Sequence, residues 1–386
     1  MAESETGVEA RKTAGSEAPV RLGVIGCGGF GWFALQQFAQ VPGVRLAAIA
    51  GTHRPAAELA VRRFGIPNVG EVERLLADPQ IDLVYVATPP FLHYSQAMLA
   101  LRAGKHVLCE KPLALNMAQA EEMLALARAS DRLMVANLIQ RYNPLFCRVQ
   151  RLIESKVLGE VLHAYFENYA SDENLPPEHW FWDREKSGGI FIEHGVHFFD
   201  LFAGWLGEGE VVAAQASRRP GAPIEDQVQC TVRYGNGVHV NFYHGFHQPG
   251  RLDRQEARLL FERGDVTLSG WVPTSVTVRG IADEQSARAL CELFPGGVLD
   301  VTDHYGAAQR ACLGRGKQLD VCQAIELRWG EGRQKLPLYC RVLRAMMDDQ
   351  IQWIRDRRHV RTITEENGRR SLALACDADR LASRSP

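Results

Sequence analysis

The sequence lacks the features that define several classes of protein. Its formal net charge is −2, with 44 Lys and Arg against 46 Asp and Glu, so it has no basic field of the kind that nucleic acid or anionic lipid would require. Its nine cysteines are odd in number and irregularly spaced, and no C-x-x-C motif occurs. This pattern favours reduced thiols in a cytoplasmic protein over a disulfide framework. We therefore expect neither a nucleic-acid partner nor a membrane partner.

Targeting and membrane-spanning segments are not indicated either. Residues 1–18 carry four Glu against Arg11 and Lys12 and have no apolar core, so we interpret them as a disordered tail rather than a secretory signal. Residues 22–44 are uncharged for 23 residues, which is long enough to raise the question of a transmembrane helix. The six glycines, three glutamines and Pro42 within this run argue against one.

The most informative stretch is a glycine-rich turn that follows an apolar strand and precedes an uncharged helix. Gly26, Gly28 and Gly31 occupy the glycine positions of G-x-G-x-x-G. The first allows a tight turn, the second lets the backbone approach a pyrophosphate, and the third lets the helix pack on its strand. Amides at the helix N-terminus are then free to bind phosphate oxygens. We expect the whole turn to contact a dinucleotide: Gly26, Cys27, Gly28, Gly29, Phe30 and Gly31.

The first part of the chain predicts a dinucleotide-binding domain within an overall α/β fold. Strands alternate with helices over residues 19–140, as in a strand over 44–50 and a helix over 117–129. Such alternation is typical of a doubly wound parallel sheet of the Rossmann type. In these sheets ligands bind at the carboxyl ends of the strands.

The pattern changes over residues 141–386, which predict a C-terminal α+β domain with a large, mostly antiparallel open sheet. One strand is predicted over 227–234, and Gly-Asn-Gly at 235–237 is a hairpin signal. Residues 283–317 have no clear period, and we interpret them as an insertion.

The end of the second strand indicates the type of cofactor. An acidic residue about twenty residues past the glycines would bind the ribose 2′-hydroxyl of NAD, whereas a nearby Arg without an acid suits the 2′-phosphate of NADP. The sequence there is Gly51, Thr52, His53 and Arg54, with no acid. This favours NADP over NAD. The alternative is a polar loop with an exposed Arg54.

Residues 191–206 predict a buried helix with one titratable stripe. Glu193, His197 and Asp200 are spaced i, i+4 and i+7, and the rest of the segment is almost entirely apolar. Such a stripe must face a polar cavity or be satisfied internally. We expect Glu193 to orient His197 and to raise its basicity, as an acid-base histidine needs.

Two other interpretations of this helix stay open. A Glu/His/His/Asp cluster could bind Zn or Fe with His194 and His197 as ligands. However, His194 points roughly 100° away from Glu193 on a helical wheel, so we predict no metal. A buried histidine satisfied by a neighbouring carboxylate is the remaining alternative.

Glu110, Lys111 and Pro112 follow another predicted strand. Pro112 restricts Lys111 to an extended backbone. A lysine held over a nicotinamide ring could polarise a carbonyl or stabilise a developing alkoxide. Taken alone, the tripeptide is also consistent with an ordinary surface turn.

Taken together, these segments resemble the Gfo/Idh/MocA family, the glucose-fructose oxidoreductase and inositol dehydrogenase-like proteins. The resemblance runs from about Val20 to the last predicted helix. It rests on motifs in the right order: the glycine turn, Ala87-Thr88-Pro89 with His93, Glu110-Lys111-Pro112, Arg141-Tyr142-Asn143-Pro144, Ser187-Gly188-Gly189, the helix with Glu193 and His197, and Glu366-Asn367-Gly368-Arg369.

The resemblance implies roles for individual residues. Lys111 would contact the reacting oxygen, His197 would donate or accept the proton, and Glu193 would stand where the family usually has Asp. The cofactor would be lined by Thr88, Pro89, His93, Glu110 and Arg141. Substrate contacts would come from Tyr169, Trp180, Trp182, Asp183, His194 and His244. The C-terminal sheet would also carry the interface of a homo-dimer or homo-tetramer.

The expected function is that of an NADP- or NAD-dependent oxidoreductase. Its substrate would be a secondary alcohol or ketone of a sugar, cyclitol or related polyol. A second hypothesis is a redox-neutral enzyme that holds its cofactor tightly and uses transient oxidation for elimination, epimerisation or glycoside cleavage. A third is a non-catalytic, cofactor-binding regulator, against which the titratable stripe of the buried helix argues.

Overall fold

The computed structural model describes residues 18–51, 54–66, 68–222, 224–314, 316–332 and 334–384. The tail predicted for residues 1–18 therefore lies outside the described residues, except for Ala18. Thr52 and His53 also lie outside them.

The first domain contains a six-stranded parallel sheet with the strand order β3-β2-β1-β4-β5-β6. Its elements are β1 (Val20–Ile25), α1 (Gly29–Phe38), β2 (Val44–Ala50), α2 (Arg54–Phe64), β3 (Asn68–Gly70), α3 (Val72–Ala77), β4 (Leu83–Val86), α4 (His93–Arg102), β5 (His106–Cys109), α5 (Met117–Ala129) and β6 (Met134–Ala136). This is the strand order of a dinucleotide-binding Rossmann sheet. The strand predicted over 44–50 and the helix predicted over 117–129 are confirmed.

The apolar strands explain the position of the sheet and of the loops around it. Every residue of β4 and β5 is buried, as expected for parallel strands covered by helices on both faces. The segments that follow β1, β4, β5 and β6 leave the sheet at its carboxyl edge. They carry the glycine turn, Thr88, Lys111 and Asn137, so the topology gathers these residues at one edge.

The second domain contains a nine-stranded sheet with the order β14-β17-β13-β12-β11-β7-β10-β9-β8. Its elements are α6 (Pro144–Ser155), β7 (Val161–Ser171), α7 (Arg184–Ser187), α8 (Val196–Leu206), β8 (Gly209–Ser217), β9 (Gln227–Tyr234), β10 (His239–Gln248), β11 (Arg254–Phe261), β12 (Gly264–Ser269), β13 (Ser275–Ala282), α9 (Glu284–Leu293), β14 (Val298–His304), β15 (Ala311–Gly314), β16 (Lys317–Asp320), β17 (Gln323–Gly330), α10 (Lys335–Arg355) and α11 (Glu365–Ala382). Neighbouring strands are antiparallel except for β7 and β10. The predicted fold class is confirmed.

One face of this sheet forms part of the core, and the other is open. Along β7, Phe166 and Asn168 are buried, whereas Tyr165 and Tyr169 on the opposite face are only half-buried. This alternation is expected for a sheet that is covered on one side. The buried face packs under α8 and α11.

Residues 283–317 contain regular structure. They include α9, the edge strand β14 and a small hairpin in which β15 pairs with β16. Asp283 accepts a hydrogen bond from the Ser286 amide at 2.7 Å and so caps α9. That this segment is an insertion stays a prediction.

Two expectations about the whole chain can be compared with the structure. The structure describes all nine cysteines, and no disulfide joins any of them. In the part of the chain that the structure describes, no helix combines the length and apolar character needed to cross a membrane.

Candidate active site

A cavity of about 480 Å³ opens at the carboxyl edge of the parallel sheet. Its floor is the turn between β1 and α1 together with the segments that follow β4, β5 and β6. Its roof comes from the second domain and includes His197, Trp271 and Tyr339. Both domains therefore contribute to one site.

The glycine turn forms an open cradle in this cavity. Gly26 has φ +88°, and a Cβ there would meet the Ala87 carbonyl oxygen at 2.8 Å, so the tight turn requires glycine. At Gly28 and Gly29, by contrast, an added Cβ would meet no atom within 4 Å. Both line the cavity beside Phe30 and Gly31. The open backbone at the N-terminus of α1 fits a dinucleotide pyrophosphate.

The Cys27 thiol does not line the cavity, and the predicted contact of this residue with the cofactor stays a prediction. The thiol is buried, and burial raises its pKa to about 11. A buried, protonated thiol behaves as a small apolar residue.

Lys111 lies in the cavity and is bound to Glu193. Its Nζ donates a hydrogen bond to the Glu193 carbonyl oxygen at 3.0 Å and forms an ion pair with the Glu193 carboxylate. The Lys111–Pro112 peptide bond is cis. Two of the three N–H groups of the ammonium are thus occupied, and one remains for a ligand.

Glu110 closes the bottom of the cavity. Its carboxylate accepts hydrogen bonds from the Tyr85 hydroxyl and from Asn137 Nδ2, the latter at 2.7 Å. Burial raises the pKa of the Glu110 carboxyl, and the two donors oppose that shift. Glu110 lines the cavity with Thr88 and Pro89, and the predicted contact of the three with a cofactor stays a prediction.

The predicted pairing of Glu193 with His197 is wrong. Residues Phe191–Gly195 form a π-helical turn, and regular α-helix begins only at Val196. A π turn is wider than an α turn, so the i, i+4 geometry that the sequence predicted does not apply. Glu193 bonds Lys111, and Asp200 bonds Arg141 instead of completing a stripe.

His197 is buried with one ring nitrogen unsatisfied. Its Nδ1 is buried without a hydrogen-bond partner among the described residues, and the side chain lines the cavity. Its pKa lies well below the usual histidine value, first because of burial and second because of the Lys111 charge. The imidazole is therefore neutral near pH 7, and its basicity is lowered rather than raised as expected.

Two residues predicted to contact the cofactor instead hold the protein together. His93 is fully buried, and its ring nitrogens lie 2.7 Å from the Pro112 carbonyl oxygen and 2.8 Å from that of Thr88. Arg141 makes a bidentate pair with the buried Asp200, at 3.0 and 2.7 Å. Both side chains make hydrogen bonds inside the protein, and neither lines the cavity.

Only two of the six predicted substrate contacts line the cavity, namely Trp180 and His194. Tyr169 lies on the open face of the large sheet because of its position in the strand alternation. The Trp182 indole donates to the Leu175 carbonyl oxygen at 2.8 Å, and Asp183 caps α7. His244 is buried beneath His194, with 5.3 Å between the ring centroids.

Several lining residues were missed by the sequence analysis. They are Ala87, Pro90, Asn137, Ile139, Trp271, Lys335 and Tyr339. Asn137 directly follows β6 and could have been found by the rule that ligands bind at the carboxyl ends of strands. Trp271 and Tyr339 come from distant segments, and no local pattern marks them.

Two further predictions concern the residues that select NADP and the binding of a metal ion. Thr52 and His53 lie outside the described residues, and only the backbone of Arg54 is described, as the first residue of α2. Across the described ranges, no group of three or more His, Cys, Asp or Glu side chains is arranged to hold a metal ion.

The fold and the cavity define a two-domain dinucleotide-binding protein. Residues 20–137 match the family model described as "Oxidoreductase family, NAD-binding Rossmann fold", and residues 146–267 match "GFO/IDH/MocA C-terminal domain". The chain therefore belongs to the Gfo/Idh/MocA family of oxidoreductases, as the sequence motifs predicted.

Individual relatives are more distant. The chain is 33% identical over 183 residues to dTDP-3,4-didehydro-2,6-dideoxy-alpha-D-glucose 3-reductase of Actinomadura kijaniata, covering 46% of this chain and 54% of that protein. It is 34% identical over 191 residues to 1,5-anhydro-D-fructose reductase of Ensifer adhaerens, covering 46% and 55%. The chain thus spans about half the length of these two relatives.

The architecture also matches solved structures. One is levoglucosan dehydrogenase in complex with NADH, with a TM-score of 0.74, 19% identity, and coverage of 95% of this chain and 97% of that one. At this identity the likeness concerns the fold alone.

Proposed function

We propose that the protein is an NAD(P)-dependent oxidoreductase that transfers a hydride between nicotinamide and a secondary alcohol or ketone of a sugar, cyclitol or related polyol. The observation that carries this proposal is the meeting of Lys111 and His197 in the cavity that contains the open glycine cradle. The two relatives are named as reductases of a deoxysugar and of an anhydrosugar, which supports a carbohydrate-like substrate.

The residues present fit the cofactor. Gly28, Gly29 and the N-terminal amides of α1 would hold its pyrophosphate, with Thr88, Pro89 and Glu110 nearer the nicotinamide. When bound, the dinucleotide would supply the hydride acceptor or donor.

The chain itself would move the proton and stabilise the oxygen. In the oxidation direction, neutral His197 takes the hydroxyl proton on Nε2 while the carbinol carbon loses hydride. The free N–H of Lys111 donates to the reacting oxygen and stabilises its developing negative charge. Glu193 holds the ammonium in position, which is a different role from the one expected for it. Reduction follows the same path backwards.

The preference for NADP belongs to this proposal as well. It rests on the absence of an acid after β2 and on the presence of Arg54 in the sequence. Tighter binding of NADPH than NADH, reduced in an Arg54→Ala protein, would support it; equal affinities would contradict it.

A homo-oligomer assembled through the large sheet is also proposed. The open face presents Tyr165, Tyr169 and Tyr243 together with the exposed Val212. Light scattering coupled to size-exclusion chromatography would show a dimer or tetramer. The Tyr165→Arg variant would form a smaller assembly. A monomer at every concentration would contradict the proposal.

The central experiment follows cofactor turnover by absorbance with a panel of sugars, inositols and keto-sugars. We expect stoichiometric turnover with one of them, a loss of about 10²- to 10⁴-fold in kcat in Lys111→Met and in His197→Asn, and retained NADPH binding in both. Lys156→Asn, a surface change outside the cavity, is the matched control.

The outcomes of this experiment separate the hypotheses. Product formed without net absorbance change, by protein carrying cofactor that it does not release, would replace this function with the redox-neutral one. Full activity in Lys111→Met would exclude the proposed role of the lysine.

A further inference from the structure

A tyrosine lies in the middle of β4, a strand that is otherwise apolar. All four residues of this strand are buried, and Tyr85 is the one that carries a polar group. Its ring packs edge-on against Phe38 of α1, with 5.0 Å between the ring centroids. A hydroxyl brought into such a core needs a hydrogen-bond partner. The partner is the Glu110 carboxylate, to which Tyr85 donates.

The register of the sheet brings these side chains together. Tyr85 is the neighbour of Leu108 on β5, and Glu110 lies two residues beyond Leu108 on the same face. Asn137, which follows β6, is placed beside Glu110 in the same way, because Cys109 pairs with the residue before Asn137. Asn137 Nδ2 donates to Glu110 Oε1 at 2.7 Å, the same oxygen that accepts from Tyr85. Two neighbouring strands therefore supply two donors to one carboxylate oxygen.

These donors stabilise the ionised form of Glu110. An amide N–H can only donate. Burial raises the pKa of the Tyr85 hydroxyl well above its ordinary value, so this group also stays protonated. Burial raises the pKa of the Glu110 carboxyl, and the hydrogen bonds from Tyr85 and Asn137 are the largest influences that oppose the shift. Loss of either donor would therefore favour the protonated carboxyl.

The other titratable groups that face Glu110 are Cys109, Lys111 and Tyr339. Burial raises the pKa of the Cys109 thiol and of the Tyr339 hydroxyl, so both are neutral near pH 7. Lys111 forms an ion pair with Glu193. Among the described residues around this point, Glu110 is therefore the group whose charge the two donors control.

The order of the strands indicates which half of a dinucleotide would extend towards Glu110. The glycine turn follows β1, which has β2 on one side and β4, then β5, on the other. In a Rossmann domain the pyrophosphate binds at this turn, and the segment after β2 binds the ribose of the adenosine half. The nicotinamide half then extends to the side of β4 and β5, where Thr88 and Glu110 line the cavity.

We propose that Tyr85 is a positioning residue. Together with Asn137 it keeps Glu110 ionised on the nicotinamide side of the cavity, and this charge raises the affinity for the oxidised cofactor relative to the reduced one. The nicotinamide ring is cationic when oxidised and neutral when reduced, and a nearby carboxylate in a cavity poor in water favours the cation. The inference rests on the proposed function and adds to it a positioning residue and a preference between two redox states.

The test measures the affinities for NADP+ and NADPH by calorimetry between about pH 6 and pH 8.5, with NAD+ and NADH as a second pair. The readout is the ratio of the oxidised to the reduced affinity, in which the titration of the 2′-phosphate, common to both forms, cancels. The charge of Lys335, which also lines the cavity, is the same in every variant. We expect a ratio that is constant within about twofold in the wild type, and at least tenfold lower at every pH in Glu110→Gln.

Tyr85→Phe keeps the ring that packs on Phe38 and removes the hydroxyl. Its ratio should equal that of the wild type at pH 8.5 and fall at least threefold towards pH 6, because Glu110 then takes up a proton within this range. Asn137→Ala removes the other donor and should shift the ratio in the same direction. It keeps the inference testable if Tyr85→Phe does not fold.

Two other tyrosines provide matched controls. Tyr94→Phe removes an exposed hydroxyl that donates to Glu122 at 2.6 Å. Tyr234→Phe removes a buried hydroxyl that has no hydrogen-bond partner among the described residues. Neither variant should change the affinity ratio at any pH.

A second readout needs no cofactor. The titration of Glu110 is followed by 13C NMR on protein labelled at its glutamate carboxyl carbons, and the signal is assigned by its loss in Glu110→Gln. The midpoint should move to higher pH in Tyr85→Phe and in Asn137→Ala, and stay unchanged in the two control variants.

The outcomes keep the inference separate from the proposed function. The expected ratios, without hydride transfer to any sugar, cyclitol or keto-sugar, would support the inference and reject the oxidoreductase function. A ratio in Glu110→Gln equal to that of the wild type, or a Glu110 titration unchanged in both Tyr85→Phe and Asn137→Ala, would overturn the inference alone. Binding of no dinucleotide would overturn both.

Discussion

At the scale of single residues, two glycines of the same turn meet different physical demands. Gly26 has a backbone conformation and a neighbour that exclude a side chain, whereas Gly28 has φ −75° and open space where a Cβ would lie. The turn itself thus favours glycine at Gly26, whereas at Gly28 only a bound pyrophosphate would need the space that a side chain would fill.

This contrast predicts opposite phenotypes for two alanine variants. Gly28→Ala should leave the free energy of unfolding within about 0.5 kcal/mol and weaken NADPH binding at least tenfold. Gly26→Ala should destabilise the protein by about 1–3 kcal/mol because of strain and the clash with Ala87. Denaturant titration and fluorescence titration with NADPH measure the two quantities. Unchanged affinity in Gly28→Ala would argue against the cradle.

The sequence patterns identified residues that meet at this site, but not which of them form hydrogen bonds with each other. Lys111, Glu193 and His197, which the motifs singled out, line one cavity, and their roles stay predictions. The sequence analysis paired Glu193 with the wrong partner because helical spacing assumes a regular helix, and the π turn breaks that regularity. His93 and Arg141 were misassigned for another reason. A motif residue can hydrogen-bond the protein groups around a site without contacting the ligand.

At the scale of elements, α8 is fixed to the rest of the protein by a buried ion pair. Arg141 binds the Asp200 side chain in a bidentate manner, and Asn367 Nδ2 of α11 donates to the same carboxylate at 2.9 Å. Asp200 is 2% exposed. Burial raises the pKa of the Asp200 carboxyl, and Arg141 opposes that shift. The positive charge of Arg141 therefore stabilises the buried Asp200 carboxylate.

Removing one charge of this pair should lower the free energy of unfolding more than removing both charges. Arg141→Met should destabilise the protein by about 3–5 kcal/mol, because it leaves Asp200 buried without its counter-charge. The double variant Arg141→Met with Asp200→Asn should recover part of that loss. Urea unfolding of the wild type, both single variants and the double variant gives the coupling energy. Strictly additive losses would contradict the interpretation.

Elements with a clear period and local caps were predictable to the residue. α5 spans Met117–Ala129 as predicted, with Asn116 accepting a hydrogen bond from the Gln119 amide at its start. β9 spans Gln227–Tyr234 and shows the expected alternation of burial. The structured elements within residues 283–317 were not predicted, since the edge strand β14 buries little and so lacks a hydrophobic signal.

At the scale of the whole molecule, several histidines are buried in their neutral form. Burial lowers the pKa of His106 to about 4 and of His244 to about 3, and it also lowers those of His93, His194 and His197. Between about pH 6.5 and its native pKa, each of these residues binds more protons in the unfolded chain than in the native chain. Each of them therefore reduces stability as the pH falls from 6.5 towards its native pKa.

His244 allows this effect to be isolated. Its ring packs against Phe166 and Phe198, so His244→Met should largely preserve the packing. Relative to wild type, the variant should gain about 2 kcal/mol of stability between pH 7.5 and pH 5, from roughly 1.4 kcal/mol per pH unit below 6.5. Denaturant unfolding at both pH values measures this difference, with the exposed His304→Gln as control. An equal difference at both pH values would contradict the prediction.

The sequence could predict two domains and their order, but not how they meet. Trp271 and Tyr339 are far apart along the chain and come together only through the nine-stranded sheet and α10. Long-range pairings of this kind have no local signature. The part of the cavity beside His197 and Trp271 therefore follows from the tertiary structure and not from any local sequence pattern.

The turn between the two sheets has a consequence for recombining family members. Four consecutive side chains, Gln140 to Asn143, reach into the second domain: to the Trp271 loop, to Asp200 on α8 and to Asp349 on α10. Asn137, three residues earlier, bonds Glu110 within the first domain. A chimera that exchanges cofactor specificity while keeping substrate specificity should therefore be joined between Asn137 and Gln140. Residues 140–143 then come from the same parent as the second domain that they contact.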